Sequence, residues 1–255
     1  MNKILLTQDD IKYELDDKIQ CEYNNELINK LKIKVLKNTK LEINISDLEE
    51  LKLNIEIDIA DNCKLDIYEI KKNIKTKILN KYNLKENSTI DIKKIYDVDT
   101  INEKNIINLN GVKSKANLIL KTVCQNLEKY DYLINHNAKE TSSDIITNGL
   151  NISGNLYFTV STLIPSGIKN CVANQQNRII NLTDKECIIK PNLLIEEVDV
   201  QANHSALIGG FKDEELFYMQ RLGISKEIAS KLLIEGFLKN KISEKLALNF
   251  KKYWR

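Results

Sequence analysis

Apolar residues in the first two thirds of this chain recur every second position, which constrains the fold more than any other feature. Leu31, Ile33 and Val35 alternate with polar residues, as do Leu41, Ile43 and Ile45. Leu51, Leu53, Ile55, Ile57 and Ile59 form the longest such series, and Leu65 with Ile67 and Ile90 with Ile92 continue it. Leu156, Phe158, Val160, Thr162 and Ile164 follow later. Successive strand side chains point to opposite faces, so period two with β-branched residues predicts strands buried on one face. Asp61-Asn62, Glu86-Asn87-Ser88 and Pro165-Ser166-Gly167 read as the turns between them.

The turn-then-strand unit repeats. Segments opening at Leu65, Ile90, Leu118, Ile145 and Val172 follow one another at roughly 25 to 28 residues. A strand unit at that period predicts a solenoid, whose β form is a parallel β-helix. The repeat is degenerate, so periodicity alone leaves a β-sandwich open.

After Phe211 the period changes. Leu216, Phe217 and Met219 sit at helical spacing over Asp213–Arg221, with Gly223 as a stop. Ser225 is an N-cap candidate for a helix carrying Ile228, Leu232, Leu233 and Phe237 on one stripe, with Gly236 admitting a close neighbour. Ser243-Glu244 opens a last helix with Leu246, Leu248 and Phe250. The expected organisation is an N-terminal segment 1–30, a β core 31–210 and a helical domain 211–255. Helices this short need a surface to pack on.

Composition narrows the function classes. The net charge of +2 gives no reason to expect nucleic acid or an anionic membrane as partner. No apolar run reaches the roughly 18–20 residues that cross a bilayer. The N-terminus turns acidic at Asp9-Asp10, too early for a signal peptide. Five scattered cysteines (Cys21, Cys63, Cys124, Cys171, Cys187) without a CxxC argue against a disulfide framework or a preformed zinc site, and predict a reducing cytoplasm. There is no GxxxxGK[ST], no GxGxxG, no GxSxG and no HExxH. An enzyme is not expected, and any ATP-driven step needs another chain.

The stretch Pro191 to Gly209 resembles the SufB/SufD signature: proline, a strand ending in Asp-Val, then His-(Gly or Glu)-Ala and a glycine. Pro191, Ile195, Asp199, Val200, His204, Ala206 and Gly209 match without a gap. Glu214-Glu215-Leu216-Phe217-Tyr218-Met219 is similar to the family's acidic-Leu-Phe-Tyr helix start, and Gly223-Ile224, Ala229, Ile234 and Gly236-Phe237 to its next helix. His136 to Ser143 is similar to its His…Thr-x-Ser element, and Asn174-Gln175-Gln176-Asn177 to its polar turn.

The resemblance implies a right-handed parallel β-helix with a C-terminal helical domain, acting as a scaffold of iron–sulfur cluster assembly. It implies pairing through the β-helix, with itself or a SufB-like chain, and docking of a SufC-like ABC ATPase on the C-terminal helices. It also implies a transient iron–sulfur cluster at the paired interface. Against the family pattern the long N-terminal helical region is expected to be absent or short. Gln176 or its neighbour stands where the SufB type has a cysteine, and Ser205 where it has Glu. Both place the chain nearer SufD or a minimal member. The alternatives are a polysaccharide-active β-helix enzyme, which would need a carboxylate cluster in a groove, and a purely structural solenoid.

Within that reading His204 is the first candidate ligand, since imidazole suits iron; the plain alternative is a histidine hydrogen-bonded at a strand end. Cys171 and Cys187 flank the polar turn and are candidate thiolate ligands, against which stands simple burial of a small soft side chain. His136 is expected to be structural. Phe217, Tyr218, Met219, Ile228, Leu232 and Phe237 are the candidate partner contacts; the plain alternative is that they cap the open mouth of the solenoid.

Overall fold

The computed structural model describes residues 2–7, 10–25 and 28–254; the side chains of residues 25, 50 and 51, among them the expected core position Leu51, lie outside the described set. Fifteen strands and a helical tail follow one another in the order β1 Asn2–Leu6, β2 Ile11–Glu14, β3 Ile19–Asn25, β4 Asn29–Val35, β5 Thr39–Ile59, β6 Lys64–Leu84, β7 Thr89–Asp97, β8 Thr100–Leu109, β9 Lys115–Cys124, β10 Leu127–His136, β11 Ser142–Asn151, β12 Asn155–Ile164, β13 Cys171–Asn181, β14 Cys187–Ile195 and β15 Val200–Gly209. Three helices follow, α1 Asp213–Arg221, α2 Lys226–Lys239 and α3 Glu244–Ala247, with a 3-10 turn over Leu248–Tyr253.

Successive strands go to alternate stacks. From β6 onward β7, β9, β11, β13 and β15 climb one side and β8, β10, β12 and β14 the other, all in parallel register. Each turn of chain therefore lays one strand on each stack: a parallel β-helix of about seven turns, which decides for the solenoid over the β-sandwich that periodicity left open. Register offsets grow from 25 residues at Asn80–Asn105 to 30 at Thr147–Asn177. β5 and β6 are 21 residues each because they bend through a corner, so their two halves serve both stacks.

One corner repeats residue by residue. Asn62, Asn87, Lys113, Glu140 and Asn170 all have φ between 51° and 60°, the left-handed region. Each N–H points up the axis to the next turn: Asn62 to Glu86 O at 2.9 Å, Asn87 to Val112 O at 2.8 Å, Asn170 to Asp199 O at 2.7 Å. Asn tolerates this conformation because its short side chain bonds locally. Gly111 sits where a Cβ would lie 2.0 Å from Glu86 N, so the turns approach too closely there for any side chain. Along the outer face, stacked amides form a ladder, Asn135 donating to Asn108 and Asn108 to Asn83, both at 2.8 Å.

The lumen takes the apolar half of the alternating pattern. The column Ile67, Ile92, Leu118, Ile145 runs in register through four turns, each residue buried. Tyr96, Tyr130 and Phe158 stack alongside with centroids 5.9 and 5.7 Å apart. Strands also fill most of residues 1–30, where patterning gave no element: β1 and β4 each pair with β5 and complete a first turn.

Four charges lie fully buried in this lumen, in positions the alternation assigns to apolar residues. Lys71 contacts Glu69 at 2.5 Å and also Glu103, and Lys94 reaches Glu103 at 2.6 Å. Tyr96 receives a bond from Lys71 at 2.8 Å and donates to Glu69 at 2.6 Å; Lys94 also donates to Asn105 at 2.8 Å. Burial opposes ionisation of Glu103, but the two ammonium groups outweigh it and hold the carboxyl well below its usual range. Two positive and two negative groups cancel, so the cluster is neutral only as a set. One turn higher, Glu128 accepts from Thr122 at 2.6 Å and Tyr130 at 2.8 Å and makes no ion pair with any described residue; burial pushes it up to about 7.

Removing one member of a buried ion cluster leaves a charge without a partner, which typically costs about 3–5 kcal/mol. Lys94→Met and Glu103→Leu should each destabilise on that scale in urea unfolding, whereas the double variant keeps Lys71 with Glu69 and regains about 2 kcal/mol over the sum. Simple additivity of the two substitutions would contradict the picture of one coupled cluster.

Candidate functional site

The two ends of the solenoid are finished differently. At the N-terminal end β1 carries β2 and β4 carries β3, both antiparallel, so the outermost strands there are short ones of four and seven residues, each with one described partner. At the C-terminal end the outermost strands are longer, nine and ten residues, and among the described residues β14 pairs only with β12 and β15 only with β13. Backbone donors and acceptors on their far sides are left open, a template for another strand. The same end exposes Leu194, Val198, Leu207 and Ile208, with Val198 at 90%.

His204 lies on β15 in register with Gln175 of β13, at the lumen-facing parity of the last turn. With no turn above it the histidine is exposed, and no hydrogen bond or ion pair ties its side chain to the described residues. The strand-end hydrogen bond that would have explained it structurally is absent among them. Directly beneath, Gln175 donates to Thr162 Oγ1 at 2.9 Å and to Asn192 O at 3.2 Å, and Thr147 donates to Asn177 at 2.7 Å. The lumen thus turns polar as it approaches its open mouth.

Asn174 to Asn177 is not a turn. The four residues lie inside β13, where Gln175 and Asn177 are buried on the lumen side and Gln176 is exposed on the outer face, paired with Ser205. Four polar residues in a row imitate a loop, but alternation places two of them in a hydrogen-bonded lumen. Consequently Cys171 and Cys187 do not flank a common turn. Cys171 opens β13 at a corner and Cys187 opens β14 on the opposite stack.

Cys171 is buried, with its sulfur 3.2 Å from Thr141 Oγ1 and 3.6–3.7 Å from the carbonyls of Ala138, Ile168 and Lys169. Cys187 is half-buried and accepts from Asn151 Nδ2 at 3.3 Å; burial pushes its thiol up. His204, Cys171 and Cys187 are not brought together, and among the described residues no three His, Cys, Asp or Glu side chains group as metal ligands. His136 is buried between Thr141 at 2.7 Å and Ser143 at 3.0 Å, where burial lowers it to about 4 and keeps it neutral.

The helical tail is docked by one element and offered by another. Ile234 and Leu238 of α2, Leu246 of α3 and Phe250 of the 3-10 turn pack on Ile95, Val123, Leu150 and Ile180, the outer face of the β7–β13 stack. Lys121 of β9 donates to Phe237 O at 2.7 Å, satisfying a carbonyl in the last turn of α2, and its ammonium lies 5.1 Å from the Phe237 ring. Arg178 covers the same ring at 5.5 Å. Tyr253 donates to Asp97 at 2.6 Å. Phe237 is therefore committed within the chain. Ser225 caps α2 as expected, accepting from Ile228 N, whereas a Cβ on Gly236 would meet nothing, so no close neighbour explains that glycine.

By contrast α1 buries no residue. Phe217 is 61% exposed and Tyr218 65%, and Ile228 and Leu232 stay exposed on α2. These four, rather than all six expected contact residues, present an apolar surface; Met219 is half-buried. None of the four exposed residues closes the solenoid mouth.

Sequence comparison converges with this geometry. Residues 24–237 match the profile described as SUF system FeS cluster assembly, SufBD core domain. The chain is 32% identical over 152 residues to the iron-sulfur cluster assembly protein SufD of Bacillus subtilis, covering 58% of this chain and 35% of that one. It is 33% identical over 96 residues to a SufBD family protein of Pyrococcus horikoshii, and 46% identical over 55 residues to one of Mycobacterium leprae. These alignments span 35% or less of each relative's length. With most of its length matched to the core domain, the chain belongs to the SufBD family of the SUF iron–sulfur cluster assembly system.

Proposed function

We propose that this chain is a non-enzymatic scaffold subunit of iron–sulfur cluster assembly, pairing through the open C-terminal turn of its β-helix and docking an ABC-type ATPase of the SufC kind through α1 and α2. The observation that carries this reading is the pair of long parallel edge strands, β14 and β15, at the last turn, with Leu194, Val198 and Leu207 exposed beside them. Pairing with a second copy or with a SufB-type chain would complete the strands of β14 and β15 and cover Leu194, Val198 and Leu207.

His204 would then stand at the seam, beside the polar mouth of the lumen. An exposed imidazole without a protein partner is free to hold iron of a nascent cluster, which is cargo here and not a resident group. Thiolate ligands fall to the partner chain, because Cys171 is buried in a hydrogen-bonded corner and Cys187 lies on the other stack. Absence of a phosphate-binding loop in the sequence is consistent with ATP hydrolysis on a separate subunit. The cytoplasm, with its reducing poise, suits five unpaired cysteines.

Two experiments test the reading. Phe217→Ser with Tyr218→Ser should abolish co-purification with a SufC-type ATPase while leaving thermal unfolding unchanged, since neither ring is part of the folded core; retention of the ATPase would remove α1 as the dock. Anaerobic reconstitution with iron and sulfide in the assembled complex should give weaker cluster absorbance for His204→Ala. Full absorbance in that variant would reduce His204 to an exposed bystander.

A further inference from the structure

At the open mouth of the lumen a buried polar atom is left without a partner. Gln175 is 1% exposed, and its Oε1 is shielded from solvent with no hydrogen bond to any described residue. Its orientation is set by the other end of the amide. Nε2 donates to Thr162 Oγ1 at 2.9 Å and to Asn192 O at 3.2 Å, both on the opposite stack, and exchanging the two ends would set an oxygen against the Asn192 carbonyl. A shielded amide oxygen without a donor costs stability, and native structures leave few of them. Tyr132 Oη and Asn80 Oδ1 are also unpartnered, but they lie deeper in the stack with turns above and below. Gln175 is different because a ring with an N–H to give stands one rung above it.

That ring is His204, in parallel register with Gln175 and at the same lumen-facing parity. Neighbouring strands lie about 4.8 Å apart, a gap that side chains of successive rungs readily bridge. Thr147 and Asn177, a register pair two residues further along, are joined in this way at 2.7 Å. Asn177 in turn donates to Ser205 O at 3.2 Å, which pins the backbone beside His204 and commits that amide elsewhere. The imidazole thus sits on a fixed stem, while the ring itself is exposed and untied.

We propose that Gln175 is a positioning residue for His204: its Oε1 accepts one ring N–H of the imidazole, which fixes the tautomer and turns the other ring nitrogen, with its lone pair, outward to the seam. The role rests on the reading of His204 as a holder of iron during cluster assembly. A neutral imidazole has one N–H and one lone pair, and it is the lone pair that binds a metal. Histidines that hold metals commonly give the second nitrogen's N–H to an oxygen acceptor, which orients the ring and raises the basicity of the bound nitrogen. Thr162 and Asn192 steady the amide from across the lumen, so both stacks set where the imidazole points. Gln175 itself touches no cargo atom.

The contact and its consequence are measured separately. Histidine-selective nitrogen-15 labelling of the full chain yields two ring spectra, because the chain has two histidines, and the set lost in His204→Ala belongs to that residue. At about pH 8, above the ordinary histidine range, the His204 ring should be a single tautomer. Gln175→Leu should give the mixture of an unbonded imidazole, with the His136 signals and the far-ultraviolet circular dichroism unchanged. Mixed tautomers in the unaltered chain, a reading that needs no variant, would overturn the contact, and so would a single tautomer that survives Gln175→Leu.

For the consequence, the assembled complex is titrated anaerobically with iron at fixed sulfide. Gln175→Leu should raise the iron concentration giving half-maximal cluster absorbance about tenfold. His204→Ala with Gln175→Leu should be no worse than His204→Ala alone, since Gln175 acts through the ring. Additive losses, or an unchanged titration in Gln175→Leu, would overturn the positioning role. If His204→Ala alone leaves the titration unchanged, the iron reading of His204 fails, and the positioning role fails with it even where the tautomer is fixed.

Discussion

Register between successive turns is the constraint on which everything else rests. In a parallel β-helix each strand finds its partners one turn above and one below, so a slip of one residue would move every lumen side chain to the outside. The repeated left-handed corner at Asn62, Asn87, Lys113, Glu140 and Asn170 sets where each turn restarts. The buried quartet Glu69, Lys71, Lys94 and Glu103 sets it more severely. Any other register would place these charges opposite apolar neighbours, at a desolvation cost the fold could not meet. Isoleucine columns are interchangeable from turn to turn, whereas the quartet is not.

Much of this architecture was legible in the sequence. Alternation at Leu53 to Ile59 and at Leu156 to Ile164 located the lumen, and the recurring unit implied turns stacked at roughly 25 to 28 residues, where the structure has offsets from 25 to 30. Ser225 and Gly223 marked the tail helices because caps are local chemistry. The quartet was missed because charged residues at apolar parity read as breaks in a pattern. Yet Lys94, between Ile92 and Tyr96 at the same parity, was the available signal. Asn174 to Asn177 misled in the opposite sense, since a polar lumen near the mouth resembles a loop until its register is known.

His204 was found by resemblance, and its exposure came only from the structure. Whether a lumen-facing residue is buried depends on whether another turn lies above it, which is a property of topology rather than of neighbours in sequence. The same holds for α1 and α2. Both carry apolar residues at helical spacing, but only α2 and the residues after it find the Ile95–Val123–Leu150–Ile180 face to cover. What remains open after the chain's own packing is complete is a long parallel strand edge and an undocked helix, and the proposed partners are assigned to these.

The central claim is that the last turn is an interface and the first is not. Light scattering of the chain, alone and mixed with a SufB-type chain, measures this most directly. The account predicts a two-chain species at micromolar concentration that Val198→Asp with Leu207→Asp reduces to single chains, while Tyr13→Asp on the N-terminal edge strand β2 leaves it intact. Single chains under every condition, or a pair broken by Tyr13→Asp and not by the C-terminal changes, would contradict it.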